Sequence, residues 1–301
     1  MIKVRIPATS ANIGSGFDSL GLAVSMYNYV EVEECEGIHI TSTDSVPIPT
    51  DENNLIYKTS KYLFDLCGKS LKGLKIRQTN NIPMARGLGS SSACIVSGLL
   101  AANQLMGEPL SQDEIINIAA AMEGHPDNST PALIGGLVTS VLEDKTVHYV
   151  KQEIKDDLRF VTIIPDFELK TSLARSALPK EVTHKEAVYN LSRAALMSVS
   201  LYSGNYQNLR VAAQDKLHQP YRLKLIKGAD RVFDICYGLG AYAAYISGAG
   251  STLMAIVDKK IEGFEEKLRD DLNYLGLSAW QIHSLSIDNI GTTVIIDKET
   301  Y

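Results

Sequence analysis

The sequence lacks several features that would place it in a special class of proteins. In its 301 residues no apolar run approaches the roughly 20 residues of a membrane-spanning helix, so we expect no association with a membrane. Basic residues are not in excess, because 29 Lys and Arg stand against 35 Asp and Glu, a net charge of −6. An acidic chain without a cluster of basic residues is a poor candidate for binding nucleic acid.

Cysteine is also scarce. The four cysteines, Cys35, Cys67, Cys94 and Cys236, are far apart and form no CxxC pair. We therefore expect reduced, structural thiols in a cytoplasmic protein. Hydrophobic residues make up 45% of the chain and charged residues 21%, which excludes a disordered chain.

Strand-like and helix-like segments are interspersed without strict alternation, which favours an α+β fold over a doubly wound sheet. Alternating apolar residues predict a strand over residues 2–6, and a capping box that opens at Ser111 predicts a helix to about Met122. We expect two domains, residues 1–158 and 159–301. Further strands are predicted over 133–142, 160–164 and 293–296, and further helices over 187–202, 209–217 and 261–272.

The most informative segment is a loop rich in glycine and serine that precedes an apolar stretch. It reads Pro83-Met84-Ala85-Arg86-Gly87-Leu88-Gly89-Ser90-Ser91-Ser92-Ala93. Gly87 and Gly89 have no side chain, so an anion can approach the backbone there. A helix is predicted to begin near Ser90, and free amides at a helix N-terminus favour phosphate. The loop thus predicts a phosphate site, although an ordinary turn with a helix cap explains the same glycines. It is not a Walker A loop, because no Gly-Lys-Ser/Thr closes it.

This loop resembles the signature loop of the GHMP kinases. Residues 7–21, Pro-Ala-Thr-Ser-Ala-Asn-Ile-Gly-Ser-Gly-Phe-Asp-Ser-Leu-Gly, are similar to the N-terminal motif of the homoserine kinases in that family. Residues 246–252, Ile-Ser-Gly-Ala-Gly-Ser-Thr, resemble the family's C-terminal glycine motif, with Ser251 where proline is usual. Three more segments also look like homoserine kinase segments: residues 123–128, 171–179 and 215–222.

The resemblance implies an α+β fold of two domains with the active site between them. The N-terminal domain would be like domain 2 of ribosomal protein S5, and the C-terminal domain would be ferredoxin-like. It implies ATP-dependent phosphorylation of the side-chain hydroxyl of L-homoserine, a step toward threonine, by an enzyme that is commonly a homodimer. Two alternatives remain: a kinase of the same fold for another small alcohol such as mevalonate, and an inactive regulator that binds ATP or an amino acid.

For the nucleotide, the resemblance implies that residues 83–93 bind ATP, with the amides of the loop on the phosphates. Ser91 and Glu123 would be ligands of Mg²⁺, a cation that prefers oxygen donors. Asn54 would hydrogen-bond the adenine. The residues alone also allow a solvated charge at a helix end for Glu123 and a helix N-cap for Asn54.

For the acceptor, the resemblance implies that Arg175 and Arg222 hold the carboxylate, a group well matched by a guanidinium. Asp18 would pair with the ammonium, whereas a role in a local turn is its alternative. His125 and Thr171 are weaker candidates for positioning the substrate.

The resemblance also raises the question of a general base. Asp127 is available as a base, whereas Asn128 would be nearest the acceptor hydroxyl. An amide does not accept a proton usefully at neutral pH, so Asn128 would orient the hydroxyl. The sequence leaves open whether Asp127 is the base or the reaction needs none.

Overall fold

The computed structural model describes residues 1–296, which contain two β-sheets. The larger sheet has seven strands: β1 (Ile2–Ala11), β2 (Leu20–Glu34), β3 (Gly37–Ser42), β4 (Gly73–Thr79), β5 (Leu137–Glu143), β6 (Thr146–Gln152) and β11 (Thr293–Ile296). The smaller sheet has four strands: β7 (Leu158–Ile164), β8 (Ala243–Ile246), β9 (Leu253–Asp258) and β10 (Gln281–Leu285).

Helices are interspersed with these strands, so the predicted α+β class is confirmed. Their bounds are α1 (Leu55–Leu66), α2 (Ser90–Leu105), α3 (Gln112–Glu123), α4 (Ser129–Ile134), α5 (Thr171–Ser176), α6 (His184–Ser203), α7 (Leu209–Ala212), α8 (Gln219–Arg222), α9 (Ala229–Gly238) and α10 (Phe264–Tyr274). None of the helices within residues 1–296 is long and apolar enough to span a membrane.

The core of the larger sheet lies between its strands and helices α1 to α4. Strand β1 pairs with β2 and β11, and its apolar residues Ile2, Val4 and Ile6 are buried, as their alternation predicted. Helix α2 lies against β1 and contacts α1, α3 and α4. A Cβ atom at Gly98 of α2 would lie 2.6 Å from the backbone oxygen of Ile56, so this glycine lets α1 and α2 pack closely.

The smaller sheet is antiparallel, in the order β10-β7-β9-β8, and has a core of its own. That core is formed by β7, β8 and β9 with helices α9 and α10, which contribute Val232, Cys236, Phe264 and Leu268. Helix α10 begins at Phe264, three residues after the predicted start, because Gly263 before it has a left-handed backbone (φ +68°).

Two of the predicted elements are shorter than expected. The strand predicted over 133–142 begins only at Leu137, because α4 is followed by Gly135 and Gly136, both with positive φ. The helix predicted over 209–217 ends as α7 at Ala212. After it, the Asp215 carboxylate accepts the backbone N–H groups of residues 217–219, which holds the chain in a turn instead of a helix.

The division into residues 1–158 and 159–301 stays a prediction. The smaller sheet begins at Leu158, close to that boundary. Parts of the later chain nevertheless join the larger sheet, since β11 pairs with β1 and Met197 and Leu201 of α6 belong to its core.

Candidate active site

The predicted phosphate loop leads directly into α2, which begins at Ser90 as expected. Gly87 (φ +79°) and Gly89 (φ +71°) are both left-handed. A Cβ atom at Gly87 would lie 2.2 Å from the backbone oxygen of Ser247, and one at Gly89 would lie 2.0 Å from Oγ1 of Thr9. Both glycines therefore allow the loop to touch neighbouring segments, while the first residues of α2 line a cavity.

This cavity has a volume of about 490 Å³ and lies between the glycine loop, the end of β1 and the start of α5. It brings together most of the predicted site residues. Those that line it are Asp18, Ala85, Gly87, Gly89, Ser90, Ser91, Ser92, Glu123, His125, Asp127, Asn128, Thr171, Arg175 and Arg222.

A second cavity, of about 270 Å³, adjoins the first and shares Ala85, Ser90 and Ser91 with it. Asn54 and Met84 line this second cavity. The other predicted loop residues support the loop instead: Leu88 and Ala93 are buried, Arg86 donates to the backbone oxygen of Pro165, and Pro83 precedes the lining residues.

Asn54 is the N-cap of α1, the alternative that the sequence left open. Its Oδ1 accepts from the backbone N–H groups of Ile56 and Tyr57, and its Nδ2 donates to Pro49 O and Gln78 Oε1. Because these four contacts use the whole amide, a direct contact with adenine requires Asn54 to release one of them. The adenine role of Asn54 stays a prediction.

Glu123, at the end of α3, lies beside the first turn of α2. The Ser92 hydroxyl lies 2.6 and 2.7 Å from its two carboxylate oxygens. Burial raises the pKa of Glu123 from 4.5 to about 7, even though this hydrogen bond from Ser92 and the charge of His125 favour the ionised form. The hydroxyl that holds Glu123 is thus that of Ser92, whereas Ser91 is exposed on the cavity wall.

The residues at this point fit the predicted Mg²⁺. The donors are a carboxylate and hydroxyl groups, the hard oxygen ligands that Mg²⁺ prefers, and they lie at the start of the helix that would hold the phosphates. A carboxylate whose pKa is raised by burial is also stabilised by a nearby cation. The assignment of Ser91 and Glu123 as ligands of Mg²⁺ stays a prediction.

Asp18 and Arg175 form a bidentate ion pair across the cavity. The Nη1 and Nη2 atoms of Arg175 lie 3.0 and 2.8 Å from Oδ2 and Oδ1 of Asp18. Asp18 itself has a left-handed backbone (φ +53°), and its N–H donates to Oδ1 of Asn12. Asn12 therefore fixes the unusual conformation that points Asp18 toward Arg175, at a cost of about 1–2 kcal/mol for a non-glycine residue.

Arg222 is buried at the base of the cavity, with only 1% of its surface exposed. Its Nη1 donates to Gly248 O at 2.9 Å and lies 3.3 Å from Nδ1 of His218. Burial, and then the charge of Arg175, lower its pKa to about 10, so it keeps its charge at neutral pH. Its Nε is buried without a hydrogen-bond partner among the described residues. A buried guanidinium of this kind favours an anion in the cavity.

His218 and Phe17 position this guanidinium. The Nε2 atom of His218 lies 2.6 Å from Gly14 O and therefore carries the proton, which leaves Nδ1 to accept from Arg222. Burial lowers the pKa of His218 and keeps the ring neutral. The Phe17 ring stacks on His218, and the guanidinium carbons of Arg222 and Arg175 lie 5.2 and 5.6 Å from its centroid.

His125, Asp127 and Asn128 form the remaining wall. The Nδ1 atom of His125 lies 2.6 Å from Oδ1 of the buried Asp127. Burial opposes charge on His125, but the hydrogen bond and charge of Asp127 prevail and raise the pKa of His125 above 6.5. Thr9 donates to Oδ1 of Asn128 at 2.8 Å, and the same hydroxyl faces Gly89 of the phosphate loop. Asn128 thus lies next to that loop.

Sequence reasoning missed five residues of this site. Asn12, Phe17 and Gly248 were inside segments that resemble family motifs but received no role, and His218 was inside another such segment. Lys170, which also lines the cavity, had no signal beyond its place next to Thr171.

Fold and site together define a GHMP kinase, and the comparisons with known proteins agree. The model of the GHMP kinases N terminal domain matches residues 54–136, and that of the GHMP kinases C terminal matches residues 197–273. The chain belongs to the homoserine kinase family of the GHMP kinases, because curated relatives with that name align with it from end to end.

The relatives are similar over nearly their whole length. The chain is 49% identical to the homoserine kinase of Caldicellulosiruptor bescii, over 100% of the chain and 99% of the relative. It is 47% identical to that of Clostridium beijerinckii, over 98% of the chain and 99% of the relative. Among solved structures, the homoserine kinase of Cytophaga hutchinsonii superposes with a TM-score of 0.86 at 28% identity, covering 98% of this chain and 97% of the other.

Proposed function

We propose that this protein transfers the γ-phosphate of ATP to the side-chain hydroxyl of L-homoserine, giving O-phospho-L-homoserine for threonine biosynthesis. The observation that carries the proposal is one cavity with two unlike walls. The first residues of α2 and the glycine loop form one wall, and Asp18, Arg175 and Arg222 form the other. The first wall suits phosphate, and the second suits a substrate that carries both an ammonium and a carboxylate.

ATP would occupy both cavities. The loop of residues 83–93 would hold the phosphates through the amides of Gly87 to Ser92, and the adjoining cavity at Asn54 and Met84 would take the base. Mg²⁺ would be held by Ser91 and Glu123, and it supplies neutralisation of phosphate charge. The hydrogen bond from the Ser92 hydroxyl would keep the Glu123 carboxylate oriented toward Mg²⁺ at the start of α2.

The acceptor would bind as a zwitterion. Arg222, buried and short of one partner, would hold the carboxylate together with Arg175. Asp18 would pair with the ammonium. The carboxylates of Asp18 and Asp127 lie within 4.8 Å of each other, which gives the ammonium an acidic surrounding.

The ion pair between Asp18 and Arg175 explains how both groups stay ordered before the substrate binds. Each group already faces a partner of opposite charge, so binding exchanges one ion pair for two. The same pair argues against a metal ion at Asp18, because Arg175 occupies both of its oxygens and would repel a dication. Thr171, at the exposed start of α5, would contact the acceptor from the side.

We propose that the transfer needs no general base. Oδ1 of Asn128 accepts from Thr9, which leaves its NH₂ group to donate to the acceptor oxygen and orient it. Asp127 is bound to His125 and supports this wall. In a loose transition state the hydroxyl needs little activation, so its proton passes late, to a phosphate oxygen.

Two alternatives are weaker. A mevalonate-like acceptor has a carboxylate for the arginines but no amine, which leaves Asp18 and Asp127 without a cationic group of the substrate. An inactive regulator would not need a buried carboxylate beside the phosphate loop. The Glu123 carboxylate lies there although its ionised form lowers the stability of the folded chain.

Two further properties belong to the proposal. We propose a homodimer, and a cytoplasmic location. The location is supported by the four cysteines, which are all free: Cys35, Cys67, Cys94 and Cys236.

The experiment is a steady-state assay of ADP release with L-homoserine and with mevalonate as acceptors, together with a measurement of ATP binding. We expect turnover with L-homoserine and little with mevalonate. Turnover with mevalonate alone would favour the second acceptor, and ATP binding without turnover on either acceptor would favour the regulator.

A further inference from the structure

Beyond its first turn, helix α6 has a solvent-facing side without charge. Within residues 187–203 the exposed positions hold only alanine, serine, valine, leucine or tyrosine. Val188, Leu191, Val199 and Tyr202 are 50, 71, 61 and 59% exposed. The face of a helix that stays in water normally carries charged residues, so this side has the composition of a covered surface.

The exposed apolar positions are symmetric about Ala195. Leu191 and Val199 lie four residues to either side of it, and Val188 and Tyr202 lie seven residues to either side. Two copies of α6 that cross antiparallel at Ala195 would therefore place Leu191 against Val199 of the second copy, and Val188 against Tyr202. This is the self-complementary pattern that an interface with a two-fold axis needs.

The residue at the crossing point suits close packing. Alanine leaves room for two helix axes to approach to about 8–10 Å. Helix α6 has 20 residues and spans about 30 Å, so the contact would be long.

Neighbouring strands extend the apolar surface. Ser198 of α6 lies 3.2 Å from the Thr139 hydroxyl of β5, which places the helix over the hairpin of β5 and β6. Val150 pairs with Thr139, and Val141 lies two residues further along β5, so all three share one face. Val141 and Val150 are 57 and 61% exposed.

We propose that this surface, α6 with Val141 and Val150, is the interface of a homodimer in which two α6 helices cross antiparallel at Ala195. The occupant is a second copy because the spacing is self-complementary, a property that a different partner does not require. The inference locates the interface of the homodimer proposed above and is independent of the acceptor that the enzyme uses.

The test uses charges that only the second copy can pair. Leu191→Glu and Val199→Lys each place a charge against an apolar residue of the partner copy, and each should raise the dimer dissociation constant by roughly 10²–10³-fold. The double variant Leu191→Glu/Val199→Lys should regain much of the affinity. Within one helix these residues are about 12 Å apart, too far to pair, so rescue must come from the other copy.

The measurement is sedimentation velocity over a range of concentrations on the full chain, with Tyr274→Glu as the matched control. Tyr274 is 91% exposed on α10, outside the surface, and its variant should stay dimeric. Thermal unfolding checks that each variant is folded, and ADP release on the same samples separates loss of the dimer from failure of the proposed activity.

Three results would overturn the proposal: a monomeric wild-type chain, a dimer that both single variants leave intact, or a folded double variant that remains monomeric. Should the charged variants fail to fold, Ala195→Cys gives a second test. Two Cys side chains on the two-fold axis should form a crosslinked dimer under mild oxidation, which the wild type and Tyr274→Cys should not. Absence of that crosslink in a folded Ala195→Cys variant would contradict the proposal.

Discussion

The buried carboxylate of Glu123 should make the protein less stable when it is ionised. Burial raises its pKa to about 7 in the folded chain, compared with 4.5 for an ordinary glutamate, the value taken for the unfolded chain. Because the unfolded chain releases this proton more readily, the free energy of unfolding falls as the pH rises from 4.5 to 7, and the loss is complete above pH 7. At 1.36 kcal/mol per pH unit the rise in pKa corresponds to about 3 kcal/mol.

Glu123→Gln removes the charge and keeps the shape, and the Gln oxygen still accepts from Ser92. Without Mg²⁺ we expect Glu123→Gln to be more stable than the wild type by about 3 kcal/mol at pH 8, and to be about equal to it at pH 4. The same variant should lose most of its turnover. Adding Mg²⁺ at pH 8 should stabilise the wild type and leave the variant unchanged.

The assay is urea unfolding at both pH values for the wild type, Glu123→Gln and the control Glu52→Gln. Glu52 is exposed, so its variant should differ from the wild type by the same small amount at pH 4 and pH 8. A stability difference between Glu123→Gln and the wild type that does not grow with pH would show that burial does not destabilise the ionised Glu123. Near-normal turnover of Glu123→Gln at limiting Mg²⁺ would show that Glu123 is not a metal ligand.

Five other changes test the site. Arg175→Ala and Arg222→Ala should each raise the KM for homoserine about 10- to 150-fold, because a lost charge-assisted contact costs roughly 1.5–3 kcal/mol. The KM for ATP should change little. An unchanged KM for homoserine in both variants would show that these arginines do not hold the substrate carboxylate. Asp127→Asn should lower turnover by less than the roughly 10²–10⁴-fold expected for a lost general base, and it should keep the acidic limb of the pH–rate profile. Loss of that limb together with a loss of turnover of roughly 10²-fold or more would make Asp127 the base. Asn128→Ala should lower kcat through lost orientation, and an unchanged kcat would contradict that role. Gly87→Ala should weaken ATP binding, measured by titration of the folded variant, because the added Cβ would lie 2.2 Å from the backbone oxygen of Ser247 and displace the loop. A normal affinity for ATP would show that the loop tolerates a side chain at this position.

Local patterns were sufficient to predict the start of α2 at Ser90 and the capping box of α3 at Ser111, because the determining contacts lie within a few residues. The long helix α6 and strand β11 also lie where the sequence pattern predicted them. Helix α7 was overestimated because a side chain, that of Asp215, takes backbone N–H groups that helical periodicity assigns to a helix.

The site depends on contacts between distant residues, which periodicity does not contain. Asp18 and Arg175 are 157 residues apart, and their ion pair depends on the packing of both sheets. Resemblance named both residues and assigned each to a substrate group, but it gave no sign that they bind each other. The Ser92 contact to Glu123 was likewise missed, since three consecutive serines are equivalent until the helix fixes which one faces inward.

We expect the cavity to recognise a hydroxylated amino acid by its ammonium as well as by its carboxylate. The most direct measurement is kcat/KM, from ADP release, for L-homoserine against 4-hydroxybutanoate, which has the same hydroxyl and carboxylate but no amine. Because the amine-free acceptor has no ammonium to pair with Asp18, its kcat/KM should be lower by roughly 10-fold to 150-fold, and replacing Asp18 by Asn should remove most of that preference. Equal kcat/KM for the two acceptors in the wild type would show that the cavity does not recognise the ammonium.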